Sequence, residues 1–299
     1  MHIDLIGVPT DYGAGRRGVD MGPSAIRYAG LRSQLEVLDH TVSDLGNLET
    51  PLPEMSQPGD PKMRHADAIV AVAQRVANQV KASLSQDHFP LTLGGDHSLA
   101  LGSIHGVARL KKIGLIWSDA HGDFNIYETS PSGNIHGMPL AAITGFGDPT
   151  IINLGRPGNG VIVEPANIAV VGARDLDKRE QELLRQTTVT VLATEQIDRI
   201  GMYRAMQQAI EVAARGTDGI YLSMDLDALD PVYAPGVGTP VPGGLTYREA
   251  HLACELVSET GKLIGMELVE VNPILDVHNA TAVIAVSLAL SAAGQRVWR

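Results

Sequence analysis

Residues 113–125 read Ile-Gly-Leu-Ile-Trp-Ser-Asp-Ala-His-Gly-Asp-Phe-Asn. A short apolar run is followed at once by Asp119, His121 and Asp123, spaced by two. In an extended chain, residues i, i+2 and i+4 share a face, about 6.6 Å apart per step. Two carboxylates and an imidazole on one face repel, or strand their polar atoms, unless positive charge sits between them. A plain polar loop accounts for one Asp, not for three metal-capable side chains in register. An EF-hand calcium loop starting at Asp119 is excluded, because its sixth position is Phe124 instead of Gly and its twelfth is Ser130 instead of Glu.

Two further runs end the same way. Residues 219–227, Gly-Ile-Tyr-Leu-Ser-Met-Asp-Leu-Asp, close on Asp225 and Asp227, and residues 89–98 lead through Gly94 and Gly95 to His97. In open parallel α/β sheets the ligand crevice lies outside the carboxyl ends of the strands, where all three runs place their ligands. His97, Asp119, His121, Asp123, Asp225 and Asp227 hold more carboxylates than one zinc site takes. They suit two divalent ions with bridging carboxylates. Oxygen-rich ligation with two imidazoles favours Mn²⁺, with Fe²⁺, Co²⁺ and Zn²⁺ compatible by ligand type. Two such ions about 3.5–4 Å apart lower the pKa of a shared water and so hold a hydroxide at neutral pH, ready to attack an electrophilic carbon or phosphorus.

Further polar groups favour catalysis over a metal that only stabilises the fold. In residues 128–139, Ser132, Asn134 and His136 alternate, and His136 is a candidate proton carrier because an imidazole titrates near neutrality. Glu270 sits between Val269 and Val271, where an unpaired carboxylate is costly. Its partner is either an arginine of the chain or a planar cation of a substrate, gripped bidentately.

These residues need a frame. Apolar runs rich in Ile, Val and Leu predict strands near 2–8, 41–45, 89–94, 113–118, 168–173, 189–193, 219–225 and 263–270. Their weak alternation is that of strands buried on both faces. Helical patterns fall between them, from Pro23 to about Leu38 and near 64–85, 97–111, 177–186, 202–215, 246–260 and 279–293. Alternating strand and helix implies an α/β fold: three αβα layers around a parallel, roughly eight-stranded sheet. Residues 46–62, 144–160 and 228–244 read as loops, the last an active-site wall because it follows Asp225 and Asp227 directly. No linker or repeat divides the chain, so 1–299 is expected to be one catalytic domain.

Composition narrows the function. A net charge of −11 argues against nucleic-acid binding and suits a cationic substrate. The single cysteine, Cys254, excludes an intramolecular disulfide and a thiolate zinc site, and its apolar neighbours predict a buried, inert thiol. The apolar stretch 280–293 is too short to cross a membrane, and no secretory leader is visible, so a cytoplasmic protein without membrane partners is expected.

Taken together, the motifs resemble those of the ureohydrolases, and within them the arginase family. The likeness runs through Arg16-Arg-Gly-Val-Asp-Met-Gly-Pro-Ser-Ala, Gly94-Gly-Asp-His-Ser, Asp119-Ala-His-Gly-Asp, Ser132-Gly-Asn-Ile-His-Gly-Met-Pro, Ser223-Met-Asp-Leu-Asp and Glu270-Val-Asn-Pro. The resemblance implies two Mn²⁺ per subunit and hydrolysis of L-arginine to L-ornithine and urea. One ion would be held by His97, Asp119, Asp123 and Asp225, the other by His121, Asp119, Asp225 and Asp227. A bridging hydroxide would attack the guanidinium carbon, Asp123 would pass a proton to the departing amine, His136 would shuttle protons, and Glu270 would hold the guanidinium. It further implies that Asn125, Ser132 and Asn134 meet the α-carboxylate, that Asp177, with Glu180 nearby through water, meets the α-amino group, and that Thr239 lies at the substrate. Agmatinase, or another guanidino-compound ureohydrolase, is the alternative; the Ser132-Gly-Asn run favours a substrate that carries a carboxylate. A metal-dependent binding protein that has lost catalysis would not need this full set of residues. The resemblance also implies a homotrimer or homohexamer. Phe124, Ile126 and Lys178-Arg179 depart from the family pattern, which bears on the pocket wall and the α-amino contacts.

Overall fold

Strands that are apolar on both faces can only be buried between two layers of helices, and the chain folds that way. The computed structural model describes residues 1–51, 57–154 and 160–298. Its strands are β1 (His2–Val8), β2 (Thr41–Asn47), β3 (Phe89–Gly94), β4 (Ile113–Ser118), β5 (Ile168–Val171), β6 (Thr190–Leu192), β7 (Gly219–Asp225) and β8 (Leu263–Val269). They form one sheet in the order β2-β1-β3-β8-β7-β4-β5-β6, with every neighbouring pair parallel.

The helices are α1 (Gly22–Tyr28), α2 (Leu31–Val37), α3 (Ala66–Leu84), α4 (Ala100–Ala108), α5 (Pro139–Ile143) and α6 (Pro149–Ile152). They continue with α7 (Lys178–Leu184), α8 (Thr194–Ile200), α9 (Met202–Ala214), α10 (Tyr247–Glu259) and α11 (Ala280–Ala292). Successive strand residues serve opposite cores. Ile3 and Leu5 pack with α1, α2, α9, α10 and α11, whereas Ile6 and Val8 pack with α3, α4 and α5. The inner strands β4, β5 and β7 therefore read as continuous runs of buried residues although their side chains alternate, whereas the edge strand β2 is largely exposed.

Expected and observed elements differ at a few places. The helix predicted from Pro23 to Leu38 breaks at Gly30, whose φ of 87° is left-handed, giving α1 and α2. The strands predicted over 168–173 and 263–270 stop at Val171 and Val269, because Gly172 (φ 98°) and Glu270 (φ 64°) turn the chain out of extended geometry. Strand β2 runs on to Asn47. Helix α8 and the short α5 and α6 have no counterpart among the predicted helices. In α6 the Asp148 side chain accepts the Thr150 N–H and so starts a turn inside a stretch read as loop. Residues 52–56 and 155–159 of the predicted loops lie outside the described residues. Cys254 is buried in α10, and burial pushes its thiol up to about 12. Among the described residues no helix is long and apolar enough to cross a membrane.

Helix α4 carries His97's turn at its start, and its seating on α3 depends on two glycines. A Cβ on Gly102 would lie 2.4 Å from the Ala73 carbonyl, and one on Gly106 would lie 2.7 Å from the Ala77 carbonyl. Alanine is favoured over glycine in a helix by about 1 kcal/mol, but here it meets backbone that cannot move aside. Gly102→Ala is therefore expected to destabilise the fold, by roughly 1–3 kcal/mol net. Chemical denaturation measures this, and an unchanged or raised midpoint would show that α3 and α4 are not in such close contact.

Candidate metal centre

The crevice draws on four adjacent strands, β3, β8, β7 and β4. His97 opens a 3-10 turn three residues beyond β3, Glu270 follows β8, Asp225 ends β7 with Asp227 in the next turn, and Asp119, His121 and Asp123 follow β4. Asp123 (φ 48°) and Glu270 (φ 64°) are both left-handed, a strained conformation for residues with a Cβ. Backbone hydrogen bonds hold them there: Leu140 N–H donates to the Asp123 carbonyl (3.0 Å), and Glu270 N–H to the Gly95 carbonyl (2.9 Å).

All six candidate ligands come together. His97 Nδ1 lies 3.1 Å from one oxygen of each of Asp119, Asp123 and Asp225. His121 Nδ1 lies 3.3 Å from Asp119 Oδ1 and 3.1 Å from Asp227 Oδ2. Asp119 thus spans the two halves, turning Oδ2 to His97 and Oδ1 to His121.

The hydrogen bonds behind His97 test whether cations fit. Ser223 Oγ donates to Glu267 Oε1 (2.7 Å). With its proton committed there, Ser223 accepts from His97 Nε2–H (2.7 Å). Nδ1 of the neutral imidazole then presents a lone pair toward three carboxylate oxygens, and this buried nitrogen has no hydrogen-bond partner. A lone pair ringed by anions is unfavourable; a cation among them makes all four atoms donors. The nitrogen- and oxygen-rich set suits a divalent ion, and His97 with Asp119 and Asp123, and Asp119 with His121 and Asp227, are each close enough to hold one.

Without a cation the charges are frustrated. Burial, reinforced by the Asp119 charge, pushes Asp123 up to about 7. Burial and the neighbouring acids also raise Asp225 and Asp227. Against burial, hydrogen bonds to His121 and His97 hold Asp119 well below the usual range. The same acids hold both imidazoles high although burial opposes it.

The ligands are in turn oriented by their neighbours. Trp117 Nε1–H donates to Asp119 Oδ2 (3.0 Å), and its ring stacks on His97 at 4.0 Å. Thr239 Oγ–H donates to Asp227 Oδ2 (3.0 Å), so the 228–244 loop positions a ligand as well as bordering the cleft.

A cleft of about 280 Å³ opens above these groups. Glu270 Oε1 accepts from the His97 backbone N–H (3.0 Å) and lies 3.0 Å from His136 Nδ1. Burial alone would lower His136, but its bond to Glu270 and the charge there raise it to about 9. The other oxygen, Glu270 Oε2, is buried without a hydrogen-bond partner. Asn125, Ser132, Asn134, Asp177 and Glu180 also line the cleft. Asn125 Nδ2 donates to Asp177 Oδ2 (3.0 Å), while Asn125 Oδ1 is buried and unpartnered. Both Glu180 oxygens are taken by backbone, Oε1 by Phe124 N–H (2.8 Å) and Oε2 by Asp177 N–H (3.0 Å). Glu180 thus clips α7 to the loop after β4, and burial pushes its carboxyl up to about 7. The unusual Phe124 points into the core against Phe146 (ring centroids 5.7 Å) and does not line the cleft; Lys178 and Arg179 are exposed.

Ser223, Glu267 and Asp96 had no site role in the sequence reading. Ser223 had a signal, since it lies two residues before Asp225 on the same strand face. Glu267, a lone carboxylate in an apolar strand, carried the same signal as Glu270. Asp96 is fully buried, accepts from the Gly13 and Ser98 N–H groups, and is pushed up to about 6 by burial and the Glu270 charge.

These shifts set a direction for metal uptake. Near pH 6 the cation-free centre holds protons on raised carboxyls and imidazoles, and ligation requires those atoms bare. Manganese binding is therefore expected to release protons at pH 6, seen as a calorimetric enthalpy that changes with the buffer's ionisation enthalpy. A buffer-independent enthalpy would contradict it.

The sequence model of the Arginase family matches residues 1–294. The arginase of Bacillus caldovelox is 47% identical over 297 residues, covering 99% of each chain. That of Bacillus subtilis is 44% identical over 296 residues, 99% of this chain and 98% of its own. The crystal structure of arginase from Bacillus cereus superposes with a TM-score of 0.94 at 46% identity, over 99% of this chain and 100% of that one. With a parallel sheet of the same form and a sequence match from end to end, this chain belongs to the arginase family.

Proposed function

We propose that the chain, as one catalytic domain over residues 1–299, hydrolyses L-arginine to L-ornithine and urea. The observation that carries this reading is Glu270 Oε2, a buried carboxylate oxygen without a partner in the wall of the cleft beside the His–Asp cluster. A guanidinium N–H fills that vacancy and neutralises the charge. The bacillary relatives named arginase support the substrate.

His97, Asp119, Asp123 and Asp225 would hold one ion, and His121, Asp119, Asp225 and Asp227 the other. Divalent ions held there, manganese by the oxygen-rich ligand set, would supply the Lewis acidity that makes water a nucleophile at neutral pH. Glu270 orients the guanidinium carbon toward the cluster. Asp123 would hydrogen-bond the attacking water and pass its proton to the departing amine. His136 is partly exposed, touches Glu270 and exchanges protons with solvent. At the outer end, Asn125, Ser132 and Asn134 line the cleft and would recognise the amino-acid carboxylate through their N–H and O–H groups. Asp177, exposed and fixed by Asn125, would take the α-amino group. Glu180 supports that contact from behind. Exposed Tyr28, Val232, Ile274 and Val277 are compatible with a cytoplasmic homotrimer or homohexamer.

Asp123→Asn is expected to lower turnover by on the order of 10²-fold or more while circular dichroism stays native; full activity would remove Asp123 from the proton path. Manganese-loaded protein should release urea from L-arginine in preference to agmatine. Asn134→Ala should raise KM for arginine far more than for agmatine. If agmatine is the better substrate of the unaltered protein, the carboxylate site is wrong and the guanidinium site stands; if neither yields urea, the proposal falls.

A further inference from the structure

Arg174, just beyond the end of β5, spends its guanidinium on backbone alone. Nε donates to the Val241 carbonyl (3.2 Å), Nη1 to those of Gly172 (3.2 Å) and Ala228 (3.1 Å), and Nη2 to those of Asp227 (2.8 Å), Leu229 (3.2 Å) and Val241 (2.7 Å). Among the described residues no carboxylate bonds to it directly. The carbonyls come from three places: the end of β5, the turn after β7 and the far side of the 228–244 loop. Strands β5 and β7 flank β4 in the sheet, so the side chain links the ends of β4's two neighbours. The Arg174 backbone N–H reaches the segment after β4 as well, donating to the Ala120 carbonyl (2.8 Å) between Asp119 and His121. Ala120 N–H in turn donates to Asp227 Oδ1 (3.1 Å).

We propose, resting on the two-ion reading above, that Arg174 is a positioning residue for one half of the metal centre. It fixes Asp119, His121 and Asp227, three ligands of the second ion, and leaves the His97 half to Ser223 and Glu267. Three successive carbonyls, those of residues 227–229, converge on one group and would repel one another without a cation between them. A guanidinium suits that task because its N–H groups spread in a rigid planar fork, whereas an ammonium donates from a single point. Asp227 is thereby held at both ends. Arg174 takes its carbonyl, while Ala120 N–H and Thr239 Oγ–H take its carboxylate. Thr239 lies two residues from Val241, so the same guanidinium also sets the loop that carries it. Asp230 closes the neck of that loop by accepting from the Val232, Gly243 and Gly244 N–H groups. Burial disfavours the charge on Arg174, and Asp227, Asp119, Asp230 and Asp225 oppose that effect. A cavity of about 370 Å³ borders Arg174, leaving room for water behind a smaller side chain.

The test compares the unaltered protein with Arg174→Lys, which keeps the charge and loses the fork. Both are loaded with manganese, desalted, and followed by metal analysis and electron paramagnetic resonance. The unaltered protein is expected to keep two manganese ions per chain with the signal of a coupled pair. Arg174→Lys should keep one, with the signal of an isolated ion. Its half-saturating manganese concentration for urea release should rise on the order of tenfold or more. Turnover should return at high manganese, with KM for arginine little changed and thermal unfolding still cooperative. Arg174→Met, which removes the charge as well, should shift further in the same direction, and it gives the same comparison should Arg174→Lys fold poorly. Two coupled ions held by the variants at unaltered affinity would overturn the proposal. Equal weakening of both ions would also overturn it, because only one half of the centre is assigned to Arg174. Failure of both variants to fold would do so too, by making the residue structural alone. Fewer than two ions on the unaltered protein would instead remove the two-ion reading, and this role of Arg174 with it.

Discussion

Four buried carboxylates surround two imidazoles, and the lone pair of one nitrogen, His97 Nδ1, has no proton donor to satisfy it. That arrangement is tolerable only with positive charge at its centre. Much else in the structure holds six side chains in a geometry they would not adopt alone. The strands that present them are neighbours in mid-sheet, β3, β8, β7 and β4, so no edge can fray beneath them. Glycines let α4 lie against α3 at backbone distance, which fixes the turn that bears His97.

A polar network runs inward from the centre through a mostly apolar core. His97 donates to Ser223, Ser223 donates to Glu267, and Glu267 also accepts from the Tyr221 and Ser103 hydroxyls. Every member is buried. Burial raises the Glu267 carboxyl, and its hydroxyl donors and the nearby His97 oppose that shift. The network decides which imidazole nitrogen keeps its proton, and through that which nitrogen faces the carboxylates.

The outer half of the cleft is attached differently. Its loop, residues 128–139, has little secondary structure and is held by backbone of distant segments. His136 N–H donates to the Gly13 carbonyl, Arg64 N–H to that of Gly133, and Asn125 N–H to that of Gly137. Glu180 joins α7 to the loop after β4. Groups that would read the amino-acid end of a substrate are thus placed by four separate stretches of chain, while the inner groups ride on strand ends. Strain at Asp123 and Glu270 marks the seam between the two halves.

Much of this was legible in the chain itself. Apolar runs buried on both faces, separated by helical patterns, could only be strands of a covered parallel sheet, and ligand residues spaced by two at the ends of those runs shared a face by the two-residue period of an extended chain. Both inferences rest on local periodicity, which a sequence carries whole. Contacts between distant residues are not periodic. Nothing in the order of residues sets Thr239 on Asp227, Glu180 on the backbone of Phe124, His136 on Glu270, or His88 beside His2; each depends on the strand order β2-β1-β3-β8-β7-β4-β5-β6, in which β3 and β4, consecutive in the chain, lie apart with β8 and β7 between them. Residue types and spacing determined which groups have to meet a cation. Only the tertiary structure decided which oxygen and which nitrogen of each group does so, because that choice is made by hydrogen bonds from partners far away in the sequence.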